Sequence, residues 1–450
     1  MGREFVWCLV LVHFAFTISC EAKLVQVIEI CRHGDRSPLN TYPNDPKPYN
    51  LWPGGPGQLT AKGMRAHYEL GRRLRQRYVD SGFLHNNFSV SEVMVLSSDT
   101  DRTLMSAYCQ MAGMFPFETG PVARDEQVTA LTPALPFFWQ PVPIHSDVQN
   151  NDSMIKVGAD CPRHEQILEL LRHSQDWLSK RNESWLLLQR VANITGLEHC
   201  DLDDLGRILD VWTCDQSHGI QVPQLDEDLF HQVENVTAWV YQKSYESEEV
   251  QQLLAGLLLE DIVSNILNRV SQRSLLKFIL YSGHDTTIAS VLSCLQAFDG
   301  YNPPYNSTII LELHLNDSVN VSDNLNDYNV HLEYNNATIS LSICDDPCPL
   351  TSFIHYLNEF TLNASQRKKL CVWREPQSYS QWIEWLPSTG LVYFLPLVVT
   401  GTVILILSRY LYNRFVRKIN RTNVEESEGP LLEKRDRPTI KSGENSQMIL

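Results

Sequence analysis

Five stretches of the chain are apolar or alternating over the length of a β-strand. LVQVIEI (24–30), VSEVMVLSS (90–98) and LLKFILYSG (275–283) predict three strands. TIILELHL (308–315) and NVHLEYNN (329–336) alternate with period two and predict the arms of a hairpin. Between them the period changes. LTAKGMRAHYELGRRLRQRYVDSG (59–82) places Met64, Tyr68 and Leu74 among the apolar positions of an amphipathic helix, and DRTLMSAYCQMAGMF (101–115) and HDTTIASVLSCLQAF (284–298) predict two more. Strand and helix in alternation predict an α/β fold with a mostly parallel sheet flanked by helices. From about 163 to 272 the pattern is helical and poor in strand formers, which predicts a helical insertion or cap. The sheet is completed by chain that follows it.

Two apolar runs stand outside this pattern. Residues 1–22 combine Arg3, an apolar run from Phe5 to Ile18 and small residues at Ser19, Cys20 and Ala22. That layout predicts a signal peptide cleaved after Cys20 or Ala22. Residues 389–408 carry no charge and are long enough to cross a bilayer, and Arg409, Arg414, Arg417, Lys418 and Arg421 follow. The positive-inside rule then predicts a type I, single-pass protein, with residues 23–387 lumenal and a polar cytoplasmic tail at 409–450.

Composition sharpens the topology. The lumenal part holds ten N-x-S/T sequons, at Asn87, Asn151, Asn182, Asn193, Asn235, Asn306, Asn316, Asn320, Asn336 and Asn363, a density that suits a glycosylated exterior. Nine cysteines remain beyond the signal, so at least one thiol stays unpaired, and Cys31 within the first strand is the candidate for a buried free one. The segment CDDPC (344–348) can close a tight disulfide. No spacing suggests a structural zinc, and no cofactor motif appears. A net charge of −16 argues against nucleic acid as a partner. It does not exclude a small anion held by a local arginine cluster.

Such a cluster is expected. In open α/β sheets, ligands bind beyond the carboxyl ends of the strands. The first strand is followed by Arg32, His33, Gly34, Asp35 and Arg36, the second by Arg102 at a helix start, and the third by His284 and Asp285 at another. Guanidinium forks and helix N-termini both suit phosphate oxygens. Each motif alone is weak, since an Arg-His-Gly loop or a capping His-Asp is more often structural. Their joint placement predicts a pocket for a tetrahedral dianion.

RHGDRSP (32–38), DRTLMSA (101–107) and YSGHDTT (281–287) resemble the histidine acid phosphatases of the lysosomal and prostatic type. GQLTAKGM (57–64), QPVPIH (140–145), CPR at Cys161 and CDQSHG at Cys214 extend the resemblance from about Lys23 to Cys371. It implies a phosphoglycerate-mutase-like fold and metal-independent hydrolysis of phosphate monoesters in acid, with His33 as nucleophile and Asp285 as the acid for the leaving oxygen. Arg32, Arg36, Arg102 and His284 would bind the phosphoryl group. Asp35 would have a structural task, Gly34 would allow close backbone approach, and Tyr42 or Trp139 would line the entrance. The resemblance also implies disulfides Cys161–Cys371 and Cys344–Cys348. The usual partner of Cys214 falls near Thr308, so a Cys200–Cys214 pair is expected instead. Relatives of this type dimerise, which leaves a homodimer open. Rival readings are a phytase or inositol-polyphosphate phosphatase and a non-catalytic lumenal receptor. Endosome or lysosome is the expected location, with the cell surface second; the tail offers Tyr412 to Phe415 and Leu431-Leu432 as sorting signals.

Overall fold

The computed structural model describes residues 22–123, 132–146, 152–316, 321–375, 405–411 and 414. Residues 1–21, most of 389–408, the tail from 415, Asn151 and Asn320 lie outside the described residues. Residues 22–373 belong to one compact unit; beyond it, 405–411 are helical with Leu405, Ile406 and Leu407 exposed.

Strands run in chain order β1 (Lys23–Arg32), β2 (Val93–Ser97), β3 (Val122–Ala123), β4 (Thr132–Pro133), β5 (Phe278–Gly283), β6 (Thr308–Leu315), β7 (Tyr328–Tyr334), β8 (Ala337–Thr338) and β9 (Cys348–Pro349). The helices are α1 (Ala61–Leu74), α2 (Asp101–Met114), α3 (Pro162–Arg172), α4 (Gln175–Glu183), α5 (Trp185–Thr195), α6 (Leu202–Ser217), α7 (Glu227–Tyr245), α8 (Glu248–Val270), α9 (Asp285–Cys294), α10 (Leu350–Leu357) and α11 (Ala364–Leu370). The main sheet has the order β2-β5-β1-β6-β7-β8, with β9 also on β7; β3 and β4 pair apart from it.

The sheet is mixed, which corrects the expectation of a mostly parallel one. Only β1/β5 and β2/β5 are parallel, while β6 to β9 pair antiparallel. The reason is the path after α9. That helix returns the chain to the far end of the sheet, but residues 295–307 bring it back to the carboxyl end of β1, where the Arg32 N–H donates to the Ser307 carbonyl. β6 must therefore run down against β1. β1 is buried from Gln26 onward because it is flanked by strands on both edges and covered on both faces.

α1 and α2 cover one face. Gly71 permits their approach, since a Cβ there would stand 1.9 Å from the Gln110 carbonyl oxygen. The buried face of α1 is Gly63, His67, Leu70, Gly71 and Leu74, not one that includes Met64. α8, α9 and α10 cover the other face, with Leu258, Ile262, Ile266, Ile288, Val291 and Phe353 in its core. The expected 163–272 insertion therefore divides. α4 to α7 have a core of their own, including Trp177, Leu188, Leu202, Trp212, Leu229 and Val233. α8 belongs to the sheet's covering layer, and although long and apolar enough to cross a membrane, it spends its apolar positions there.

Cys161–Cys371 and Cys344–Cys348 form as expected, and Cys31 is a buried free thiol. Cys200 and Cys214 are both free, which corrects the proposed pair. Cys200 precedes α6 and Cys214 lies in its last turns, on the order of 18 Å along the helix axis at 1.5 Å per residue, far beyond disulfide reach. Among the described sequons, Asn87, Asn182, Asn193, Asn235, Asn336 and Asn363 are exposed. Asn306 is the poorest acceptor, because its N–H donates to the His33 carbonyl and its Oδ1 is buried.

Candidate active site

The segment after β1 is clamped by backbone bonds on both sides. The His33 N–H donates to the Gly283 carbonyl at 2.9 Å, and the Asn306 N–H donates to that of His33 at 3.2 Å. Gly34 brings the turn against α1, because a Cβ there would lie 2.7 Å from the Gly63 carbonyl oxygen. His33 is 1% exposed. Its Nδ1 stands 2.8 Å from the Gly34 carbonyl oxygen. A carbonyl only accepts, so Nδ1 carries the proton and Nε2 keeps its lone pair. Burial, then the charges of Arg32, Arg36, His284 and Arg102, hold the ring well below the usual histidine range.

The three arginines differ in how they are held. Arg32 forms an ion pair with Asp285 at 2.9 Å, donates to the Pro303 carbonyl and stacks over the Tyr305 ring at 4.2 Å. Arg36 makes a fork to both oxygens of Asp210, at 2.8 and 3.1 Å. Arg102 has no salt bridge to a carboxylate among the described residues; its nearest polar partner is His284 Nδ1, at 3.3 Å. Burial and the neighbouring Arg36 lower Arg102 to about 10. Two guanidinium groups are thus ion-paired and, among the described residues, the third is not; three cations share two carboxylates, so the pocket favours an anion.

His284 is the N-cap of α9, and its ring lies edge-on to that of His33 with centroids 5.7 Å apart. Arg102 can only donate, so His284 Nδ1 accepts and the Nε2–H is directed at Ser98 Oγ, 2.8 Å away. Burial and Arg102 hold this ring below the ordinary range and neutral. Its one donor is already engaged, so a bond from His284 to phosphate requires a second proton, which a bound dianion would favour. Asp285 opens α9 and also accepts from the Thr286 N–H at 2.8 Å. Burial acts to raise its pKa, but Arg32, Arg36 and His284 outweigh burial and keep it below the ordinary carboxylate range. The acid expected for the leaving oxygen is therefore a carboxylate in the ligand-free protein.

Strand ends bring Arg32, His33, Arg36, Arg102, His284 and Asp285 together as the sequence predicts. Asp35 is a tie, accepting from Thr60 Oγ1 at 2.8 Å, Ser217 Oγ at 2.6 Å and His218 Nε2 at 2.7 Å. It joins the loop to α1 and to the end of α6. Tyr42 is not at the entrance; it is buried in the α4–α7 core, where Trp212 Nε1 donates to its hydroxyl. Trp139 is exposed. Sequence reasoning missed Asp210, an acid in the middle of α6, and Tyr305, a loop aromatic. Each lacks a motif, and only the Tyr305 position just before a predicted strand could have flagged it. Among the described residues no group of three or more His, Cys, Asp or Glu is placed to hold a metal ion.

A cavity of about 250 Å³ opens beside Arg32, bordered by Asp210, Glu234, Thr237, Tyr241 and Tyr305. Among the described residues Arg32 is the sole basic one lining it.

The model of the histidine phosphatase superfamily (branch 2) matches residues 23–335. Lysosomal acid phosphatase from Homo sapiens is 33% identical over 384 residues, 83% of this chain and 86% of that protein. Prostatic acid phosphatase from Rattus norvegicus is 31% identical over 350 residues, 75% of this chain and 86% of that protein. Among solved structures, a phytase from Klebsiella sp. ASR1 superposes with a TM-score of 0.55 at 17% identity, covering 79% of this chain and 100% of that one. At that identity the likeness is one of fold.

Proposed function

The chain belongs to branch 2 of the histidine phosphatase superfamily, and on that premise we infer that it is an acid phosphatase, hydrolysing phosphate monoesters through a phosphohistidine on His33. The observation that carries this reading is the bare Nε2 of His33, held neutral among three guanidinium groups of which one lacks a carboxylate.

An incoming dianion meets Arg102 first, then competes with Asp285 for Arg32 and with Asp210 for Arg36. The competition has a chemical consequence. Once Arg32 turns to phosphate, Asp285 loses the cation that lowered its pKa and gains a negative neighbour, so it takes up a proton in acid. The His33 Nε2 lone pair then forms the N–P bond as the P–O ester bond breaks, and Asp285 gives its proton to the leaving oxygen. The arginines hold the charge on the transferring oxygens. Water next attacks phosphorus, Asp285 takes its proton, and His33 leaves as neutral imidazole. No metal enters these steps.

The cavity beside Arg32 favours a monoester over a polyphosphate. A second phosphate there would face Asp210 and Glu234 with no further cation among the described lining residues. The uncharged run 389–408, its basic flank and the lysosomal acid phosphatase relatives support a single-pass type I protein of the endosome or lysosome.

The test is turnover of p-nitrophenyl phosphate by full-length protein and His33→Ala from pH 3 to 8 with chelator present. Turnover highest in acid and abolished in the variant is expected. Folded wild-type protein without turnover at any pH would leave the receptor reading.

A further inference from the structure

Beneath the site lies a chain of polar groups that phosphoryl transfer does not itself use. Glu29 on β1, His67 on α1 and Gln110 on α2 are all 0% exposed. As placed, Gln110 Nε2 lies 2.7 Å from Glu29 Oε2 and its Oε1 3.2 Å from His67 Nδ1, and exchanging the two ends of the amide leaves both distances as contacts. His67 Nε2 lies 3.1 Å from the backbone carbonyl oxygen of Arg32, the residue before the nucleophile. Resting on the phosphatase reading above, we propose that Glu29, Gln110 and His67 form a buried relay that positions the Arg32–His33 peptide for phosphoryl transfer.

The protons in the relay follow from its geometry. The Arg32 carbonyl only accepts, so His67 Nε2 carries hydrogen. A neutral His67 then has only an acceptor at Nδ1, and the Gln110 NH₂ must face it. The two ends of an amide are assigned from their partners, not from position alone. With its NH₂ committed to His67, Gln110 turns its oxygen to Glu29, and Glu29 must donate. The glutamate is therefore a neutral acid. Its surroundings agree, for Glu29 forms no salt bridge among the described residues and its Oε1 has no partner. The groups that face it are Arg73 on α1, which acts through space, Tyr78 in the turn beyond, and Cys31 on β1. Glu312 on β6 lies beyond Tyr78 and is paired with Arg77. Burial, opposed by Arg73, pushes Glu29 up to about 8, and an amide oxygen turned to it disfavours the carboxylate further. Burial likewise pulls His67 down to about 4, which keeps the ring neutral at working pH.

The sign of the linkage is fixed. The folded chain holds the Glu29 proton to about pH 8, whereas an unfolded glutamate releases it near about 4.3. The stabilisation is complete below the unfolded value and is lost as pH rises towards 8. A relay of this kind suits a protein that works in acid.

Glu29→Gln keeps the shape and a fixed donor, while Glu29→Leu removes the donor. Thermal unfolding of the full-length wild type and Glu29→Gln would be followed from pH 4 to 9. Kinetics of wild type, Glu29→Gln and Glu29→Leu on p-nitrophenyl phosphate would be measured at pH 5. The expected result is that Glu29→Gln gains on wild type as pH rises and levels off near 8, with kcat within about threefold. Glu29→Leu should lose roughly tenfold or more in kcat with little change in KM. A melting difference that is constant across pH, or a Glu29→Gln protein that does not fold at pH 5, overturns the neutral-acid relay. Equal kcat in Glu29→Leu and wild type overturns the positioning role. A wild type without turnover would sink the phosphatase reading, while the melting comparison still decides the state of Glu29.

Discussion

The ends of the parallel strands and the helical cap each send groups to the same pocket, but they do so by different means. β1 and β5, with the start of α2, deliver His33, Arg32, Arg102, His284 and Asp285 on backbone pinned by strand pairing. Little freedom remains there, and each ring nitrogen of the two histidines has an assigned partner or an assigned task. The α4–α7 cap has its own core and reaches the site through few side chains: Asp210 on Arg36, and Ser217 and His218 at the C-terminal end of α6 on Asp35. In the proposed mechanism the sheet side supplies the reacting atoms, and the cap supplies orientation and the walls of the cavity. Chemistry is placed where backbone hydrogen bonds set position to a fraction of an ångström, and adjustment where packing alone sets it.

The sharpest test of this division is Asp285→Asn, which removes the proposed proton donor on the sheet side. A fall in kcat of roughly 10²–10⁴ is expected, smaller for esters with acidic leaving alcohols, and steady-state kinetics on a leaving-group series measures it. Asp210→Asn should cost much less, about tenfold, mostly in KM, because it frees Arg36 from its fork without removing a reacting group. If Asp210→Asn cost as much as Asp285→Asn, the cap would belong to the chemistry and the comparison would fail. The pH profile bears on the same point. An unperturbed imidazole is only about 3% neutral at pH 5, whereas the buried, arginine-flanked His33 is held below that range. The acid limb of kcat/KM should therefore fall below pH 6.5, and a limb at 6.5 or above would mean the arginines do not act on His33. The smallest effect concerns the cap's cysteines. Cys200→Ser should change stability by less than ~0.5 kcal/mol, and alkylation of the unfolded, unreduced protein should reveal Cys31, Cys109, Cys200, Cys214 and Cys294 as thiols.

The site could be read from sequence where strand endings and helix starts coincide. Arg32 and His33 follow an apolar run, and Arg102 and His284 each open a helix, so topology converts linear order into proximity. Asp210 gave no such sign, being one acid among several in α6, and its partner lies 174 residues earlier. His67 was hidden differently: α1 reads as amphipathic, and nothing in its period says that a histidine stands on the buried face. The mixed sheet escaped because a strand–helix–strand order normally means parallel pairing, and residues 295–307 undo that by returning the chain to the carboxyl end.

The sequence by itself determined the α/β class, the candidate site residues, the tight Cys344–Cys348 disulfide and a charge pattern suited to a small phosphate ester. These depend on local period and on motifs that bring their context with them. Tertiary structure alone decided that Arg32 and Arg36 hold carboxylates while Arg102 forms no salt bridge among the described residues, that His33 keeps Nε2 bare while both nitrogens of His284 are engaged, and that Glu29 forms no salt bridge among the described residues. These are matters of distance between groups far apart in the chain. Electrostatic energy varies with separation and burial, and neither is written in the order of residues.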